Sequence, residues 1–334
     1  MKEIDVYGIG SPLMDMLVDI KDEELEELGL NKGIMHLLDD AKRNKVVSLV
    51  DTREKAMACG GDCPNTMIAL AGLGCKTALF GKVGDDHHGE FYSKKLDEHN
   101  VINHLGFSGN PTGSAVILVS PDSERTMSTH LGCSIEIEED EIDPDMIGKS
   151  SYLYVTGYFW NTEAQKTAML KAMRSAVSQG TQVVFDVADP FVVKENRQDF
   201  LRIIEDYASI VFANKEEAKL LYECDAEDAA ARLGNICNTA VVKLGSEGAV
   251  ISSNGEMMHV PANLVDALDT TGAGDMFAAG FLYGLCRDMS HKDAGVFASY
   301  LASNIVTQKG AQFSTDKLEE IRDHVGKGTW NYII

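Results

Sequence analysis

Residues 269–281 read DTTGAGDMFAAGF: a short polar lead-in, then Gly272-Ala273-Gly274, the acid Asp275, and an apolar helix-like stretch. Successive backbone N–H groups in a glycine-rich turn point at one spot, and a following helix adds the partial positive charge of its N-terminus. The small residues at 272–274 let an anion approach closely. An anion hole beside a carboxylate suits phosphoryl transfer. The turn stabilises charge on the transferring group, and the acid accepts the proton of an attacking hydroxyl. Taken alone, GAGD reads more simply as a helix start whose acid offsets the dipole. A plain cap, however, does not need two small residues beside its glycine.

Other nucleotide and metal signatures are incomplete. Gly148-Lys149-Ser150 has Asp143 where the first glycine of GxxxxGK[ST] belongs, so there is no Walker A loop. Gly8-Ile9-Gly10 follows a strand-like run, but Leu13 stands where a dinucleotide fingerprint needs its third glycine, and no suitably placed acid follows about 20 residues on, which argues against an NAD-dependent dehydrogenase. His87-His88 and the pair Cys59/Cys63 lack partners at zinc spacing and read as surface histidines and core thiols.

The elements that must position these residues are legible in outline. EIDVYGIG (3–10), KTALFGKVG (76–84), YLYVTG (152–157), TQVVFDV (181–187), SIVFAN (209–214) and TAVVKLG (239–245) read as strands, several of them β-branched. Helical patterns fall at 62–74, 86–100, 163–179, 197–206, 215–223 and 226–237. Strands alternating with helices predict βαβ units and a mostly parallel sheet covered on both faces. Residues 14–59 and 104–130 break that rhythm. They carry short extended patterns (MLVDI, GIMHLL, SAVILVS, RTMSTH) without helices of matching length. A second, small β layer at the carboxyl ends of the main strands would make a lid.

Composition fits a globular protein with a sizeable core: 334 residues, 44% apolar, 25% charged. The net charge of −22 argues against nucleic-acid and anionic-membrane partners, though not against a small anionic ligand. The run EIEEDEIDPD (136–145) reads as a solvated helix start and turn. No apolar run approaches the ~18 residues of a spanning helix. The N-terminus MKEIDVYGIG lacks a signal-peptide pattern, and the seven scattered cysteines suit a reducing compartment, so a cytoplasmic location is expected.

Three motifs in order carry a family resemblance over nearly the whole chain, from about Asp5 to Val325. They are the segment 269–281, Cys59-Gly60-Gly61-Asp62-Cys63-Pro64-Asn65 running through GLGCKTALFGKVGDD, and Asn214-Lys215-Glu216-Glu217 after a strand. In these the chain resembles the ribokinase-like, or PfkB, family of sugar and nucleoside kinases. The resemblance implies one ribokinase-like domain over 1–334: a three-layer α/β/α fold with a mostly parallel central sheet, and a small β-sheet lid from about 14–59 and 104–130.

The same resemblance implies a reaction with ATP and Mg²⁺. Asp275 would be the base that deprotonates an acceptor CH₂OH, with Gly272, Ala273 and Gly274 as the anion hole for the γ-phosphoryl group. Asp15, Gly60, Gly61, Asp62 and Asn65 would hold the acceptor. Asn214 and Glu217 would orient Mg²⁺-bound water and phosphate, although alone they read as an N-cap and a first-turn acid. Lys243, Gly245 and Gly248, in KLGSEG, resemble the segment lining the ATP site, and equally a strand running into a hairpin turn. Ser299 falls where relatives place an adenine-contacting Asn or His. Asp269, Thr271 and Ser314, with the loop Gly310-Ala311-Gln312-Phe313-Ser314, resemble a K⁺ site. Arg125, in Ser123-Glu124-Arg125-Thr126, either reaches over the phosphates or is a surface arginine.

The acceptor is less sharply marked. The spacing of GSPLMD, the phrase SERTMSTHLGCS and YLYVTGYFW resemble the adenosine-kinase branch, where Tyr158, Phe159 and Trp160 would stack on a base or simply fill the core. Ser11 in place of the usual Asn, and Asp62 after the glycines, point instead to a sugar, since an acid there can accept two hydroxyls. The expectation is a sugar kinase of ribokinase or fructokinase type, with a nucleoside kinase as the alternative and a non-catalytic sugar or nucleotide sensor as a remote one. A monomer and a homodimer through the lid both remain open.

Overall fold

The apolar runs form the layers of an α/β sandwich in the computed structural model, which describes residues 2–51, 53, 56–122 and 124–326. The larger sheet contains β1 (Ile4–Ile9), β5 (Thr77–Phe80), β7 (Ile102–Asn103), β11 (Ser150–Thr156), β12 (Gln182–Asp186), β13 (Ala208–Asn214), β14 (Thr239–Lys243), β15 (Ala249–Ser253) and β16 (Glu256–Val260). Its order is β16-β15-β14-β13-β12-β11-β1-β5-β7, parallel from β14 to β7 and antiparallel at β15 and β16. Neighbouring residues of a strand face opposite layers. Val184 packs in the cluster with the helices Asp62–Gly72, Ala273–Cys286 and His291–Ile305. Val183 and Phe185 pack with the helices Glu163–Ser178, Pro190–Asp206 and Ala226–Gly234. The chain builds outward from β1 in both directions, to β5 and β7 on one side and to β11–β14 on the other. The order therefore reverses between β1 and β11, which opens a crevice at the carboxyl ends of those strands.

A second sheet, ordered β3-β10-β9-β2-β4, uses β2 (Leu13–Asp19), β3 (Met35–Leu37), β4 (Ala56–Gly60), β9 (Gly113–Val119) and β10 (Arg125–His130). Met16, Val18, Val116 and Leu118 face the helices Asp22–Leu28 and Asp40–Val50 through Leu25, Val46 and Val50. The other face carries Asp15, Leu17, Ile117, Arg125 and Met127, aligned by the β2–β9 and β9–β10 registers.

The structure departs from the sequence reading at four places. Residues 14–59 do contain a full-length helix, Asp40–Val50, capped by Asp39. Its VVSLV end looks like a strand because β-branched residues crowd one stretch. Residues 104–112 lie outside the second sheet, and β8 (Gly106–Ser108) pairs instead with β6 (Lys82–Gly84). KTALFGKVG is two strands in two sheets: it turns at Gly81, where a Cβ would fall 2.5 Å from Gly10 O. The helix read at 197–206 begins at Pro190, capped by Asp189 and kinked at Asn196. Ser123 and parts of 52–55 lie outside the described residues.

Candidate active site

The glycine turn sits where the sequence reading needs it, at the start of the helix Ala273–Cys286. Gly272 has φ 77°, and a Cβ there would fall 2.7 Å from Ala311 Cα, so both conformation and space demand glycine. Its carbonyl accepts Met276 N–H at 2.9 Å and closes the first turn. No side chain caps this helix, which leaves its N-terminal dipole open to an anion. Gly274 keeps the path clear toward Lys243: a Cβ at Gly274 would lie 3.4 Å from Lys243 Nζ.

Asp275 is held by a relay of amides. Asn65 Nδ2 donates to Asp275 Oδ2 at 2.8 Å, and Asn65 Oδ1 accepts from Gln312 Nε2 at 2.9 Å. Gln312 Nε2 also donates to Cys59 O at 2.5 Å. Asn65 can donate to the carboxylate only with its oxygen turned away, and Gln312 fixes that orientation. Burial pushes Asp275 up to about 8, and the nearby carboxylates of Asp62 and Asp186 add to the rise. The Asn65 hydrogen bond and the Lys243 ammonium oppose it.

Two further acids face the crevice. Asp62 opens the helix Asp62–Gly72, and burial pushes it up to about 6. Thr156 Oγ1, at the end of β11, lies near enough to lower it. Neither Thr156 Oγ1 nor Asp62 Oδ2 meets the geometry of a hydrogen bond, although both are shut off from water. Asp15, on β2, is pushed by burial up to about 7. It lies on Gly60, where a Cβ would fall 2.3 Å from its carboxyl carbon. At Gly61, with φ 102°, a Cβ would fall equally close to Ser11 O, and Tyr92 Oη ties down Gly60 O at 2.7 Å.

On the far side of the glycine turn, charges alternate. Lys243, ending β14, pairs with Asp186 Oδ2 at 3.3 Å, and Tyr154 Oη donates to the same oxygen at 3.2 Å. Burial works against the Lys243 charge, yet Asp186, Glu217 and Asp275 together hold its pKa above the usual lysine value. Asn214 and Glu217 form a reciprocal cap. Asn214 Oδ1 accepts Glu216 and Glu217 N–H, while Glu217 Oε2 accepts Asn214 N–H at 2.7 Å. Glu217 is buried and pushed by that burial up to about 7, with Lys243 opposing. Asp186 went unassigned in the sequence. The available signal was a lone acid at the carboxyl end of an otherwise apolar parallel strand.

The remaining predicted residues lie further out. Gly245 (φ 64°) and Gly248 (φ 95°) shape the turn from β14 to β15, and a Cβ on Gly248 would meet Val260 O. Ser299 Oγ donates to Pro261 O at 2.9 Å and anchors the segment after β16. Thr271 caps back onto Asp269, and Ser314 Oγ accepts Lys317 N–H at 3.3 Å at the start of the helix Thr315–Gly326. Of the aromatic trio, Phe159 and Trp160 are core residues, Trp160 edge-on to Phe200. Tyr158 stays exposed, with its hydroxyl 3.4 Å from Asp189. Among the described residues no group of three or more His, Cys, Asp or Glu forms a preset metal site, and no helix is long and apolar enough to cross a membrane.

Known proteins share this fold. The model of the pfkB family carbohydrate kinases matches residues 33–318. A probable sugar kinase of Rhizobium etli superposes with a TM-score of 0.87 at 31% identity, covering 98% of this chain and 99% of its own. The adenosine kinase of Sinorhizobium meliloti superposes with a TM-score of 0.84 at 32% identity, covering 95% and 99%. The 5-dehydro-2-deoxygluconokinase of Shouchella clausii is 28% identical over 287 residues, 81% of this chain and 87% of that protein. With its α/β sandwich, second sheet and glycine turn, the chain belongs to the pfkB family of carbohydrate kinases, phosphotransferases that act on hydroxyl groups.

Proposed function

We propose that the protein transfers the γ-phosphoryl group of ATP to the primary hydroxyl of a sugar. The observation that supports this best is the pairing of an uncapped, glycine-led helix start with a carboxylate aimed by Asn65. Asp275 takes the proton of the acceptor hydroxyl, for which its raised pKa makes it a competent base near neutral pH. The N–H groups of 272–274 and Lys243 meet the charge on the transferring phosphoryl group. Mg²⁺ bound with ATP would neutralise phosphate charge, and Glu217 and Asp186, the acids around Lys243, would receive its water shell. Asp15 and Asp62 accept acceptor hydroxyls, and the second sheet, which carries Asp15, closes over the crevice as a lid.

A sugar is favoured because Asp62, at the start of the helix Asp62–Gly72 and close enough to raise Asp275, is a carboxylate able to accept two hydroxyls. A nucleoside acceptor is the second reading. It is favoured by the half-buried Leu17, Ile117 and Met127 beside Asp15 on the lid face, an apolar surface that suits a base. ADP release with ribose, fructose, adenosine, inosine and cytidine separates the two. A sugar should exceed every nucleoside, and the reverse order would establish the second reading. No release with any acceptor would count against both and favour a sensor.

A further inference from the structure

The loop entering the glycine turn is already closed by a charge that belongs to the protein. Asp269 was expected to hold a monovalent cation, yet its carboxylate has no vacancy. Oδ1 accepts from Thr271 N at 3.1 Å and from Thr271 Oγ1 at 2.7 Å. Oδ2 accepts from Gly310 N at 2.8 Å and from Arg125 Nη1 at 2.6 Å. A carboxylate offers about four lone-pair positions, and all four are taken. The donors draw in two backbone segments, 269–271 and 310, and one side chain from the second sheet. The Asp269 side chain is 7% exposed and Arg125 27%. Burial works to raise the Asp269 pKa, but Gly310, Thr271 and Arg125 hold it below the usual range. Of the other two expected cation ligands, Thr271 turns its hydroxyl onto Asp269 and Ser314 uses its own to cap a helix. This residue set does not fit a bound K⁺.

We propose that Arg125 performs here the task of that ion. Its guanidinium neutralises Asp269 and clamps the 269–271 loop to Gly310, beside the point where Ala311 backs Gly272. Arg125 is a positioning residue: it acts through Asp269 on the geometry of the turn. Because it rides on β10, joined through β9 to the β2 strand that carries Asp15, the clamp and the acceptor-side acid move as one sheet. A free ion would order the loop whether or not the second sheet were down. An arginine on that sheet orders it only when the sheet is closed. The consequence for phosphate binding rests on the proposed anion hole; the clamp itself does not.

The test compares wild type, Arg125→Met and Arg125→Lys in potassium chloride and in tetramethylammonium chloride at equal ionic strength. Two readouts are taken: amide hydrogen exchange of residues 266–274 without nucleotide, and the affinity for Mg²⁺ and a non-hydrolysable ATP analogue. Wild type should be indifferent to the cation in both. Arg125→Met should exchange about tenfold faster in tetramethylammonium, the scale of one charge-assisted hydrogen bond, and recover in K⁺. Arg125→Lys should behave as wild type. A wild type whose loop exchange depends on K⁺, or an Arg125→Met loop that does not respond to it, would overturn the proposal. If loop exchange follows the prediction while analogue affinity never moves, the clamp stands and the anion-hole reading falls.

Discussion

Replacing Asp62 by asparagine should move the pH dependence of catalysis to lower pH. Asp62 is the charged neighbour that does most, after burial, to raise Asp275 to about 8. Two carboxylates roughly 6 Å apart at an effective dielectric near 20 repel by about 3 kcal/mol, or ~2 pH units. Asp62 itself rises to about 6, so it carries its charge throughout the range in which Asp275 titrates. Removing that charge should lower the acidic limb of kcat/KM by about one to two units, from near 8 toward 6–7. The assay is ADP release from pH 5.5 to 9.5 with saturating ATP and limiting acceptor. Loss of a substrate hydrogen bond would lower kcat/KM at every pH alike; only loss of the charge moves the limb. A limb that stays put or rises would refute the electrostatic account of Asp275. Stability gives a second reading with its own sign. The folded pKa of Asp62 is raised, so its stabilising contribution is complete below pH 4 and is lost as pH rises through about 6. Its two-unit rise corresponds to about 3 kcal/mol at pH 8, or roughly 4 °C in Tm for a chain of this size, which Asp62→Asn should restore.

Other perturbations test the supporting contacts. Gln312→Leu frees the Asn65 amide to turn, and should lower kcat by about tenfold while leaving ATP affinity within about threefold, measured by steady-state kinetics and calorimetry. Lys243→Met strands Asp186 and Glu217 without their cation. It should weaken ATP binding and cost about 3 kcal/mol of stability at pH 8, read by thermal melting, with the loss shrinking toward pH 5 as Glu217 protonates.

The residues of the candidate site stood out in the sequence because the constraints on them are local. Gly272 needs a positive φ, Asp275 must follow the turn, and Asn214 and Glu217 cap a helix three residues apart. The alternation of β-branched runs with helices gave the parallel sheet for the same reason. What stayed hidden depends on distant pairing. Arg125 and Asp269 are 144 residues apart, and Gln312 reaches Asn65 across 247. No local pattern records either contact. Asp186 is set by the register of β12, and its role appears only when β14 brings Lys243 alongside. The helix Asp40–Val50 went unread because its apolar side is sparse: only Val46 and Val50 are fully buried, against the second sheet.

Asp275→Asn tests the central claim most directly, because it keeps the size and the Asn65 contact of the side chain while removing its capacity to take a proton. With the acceptor found in the panel, kcat should fall by about 10²–10⁴, the usual contribution of a positioned base, while Mg²⁺·ATP still binds within about threefold of wild type. Turnover within about tenfold of wild type would show that Asp275 is not the base and would contradict the mechanism.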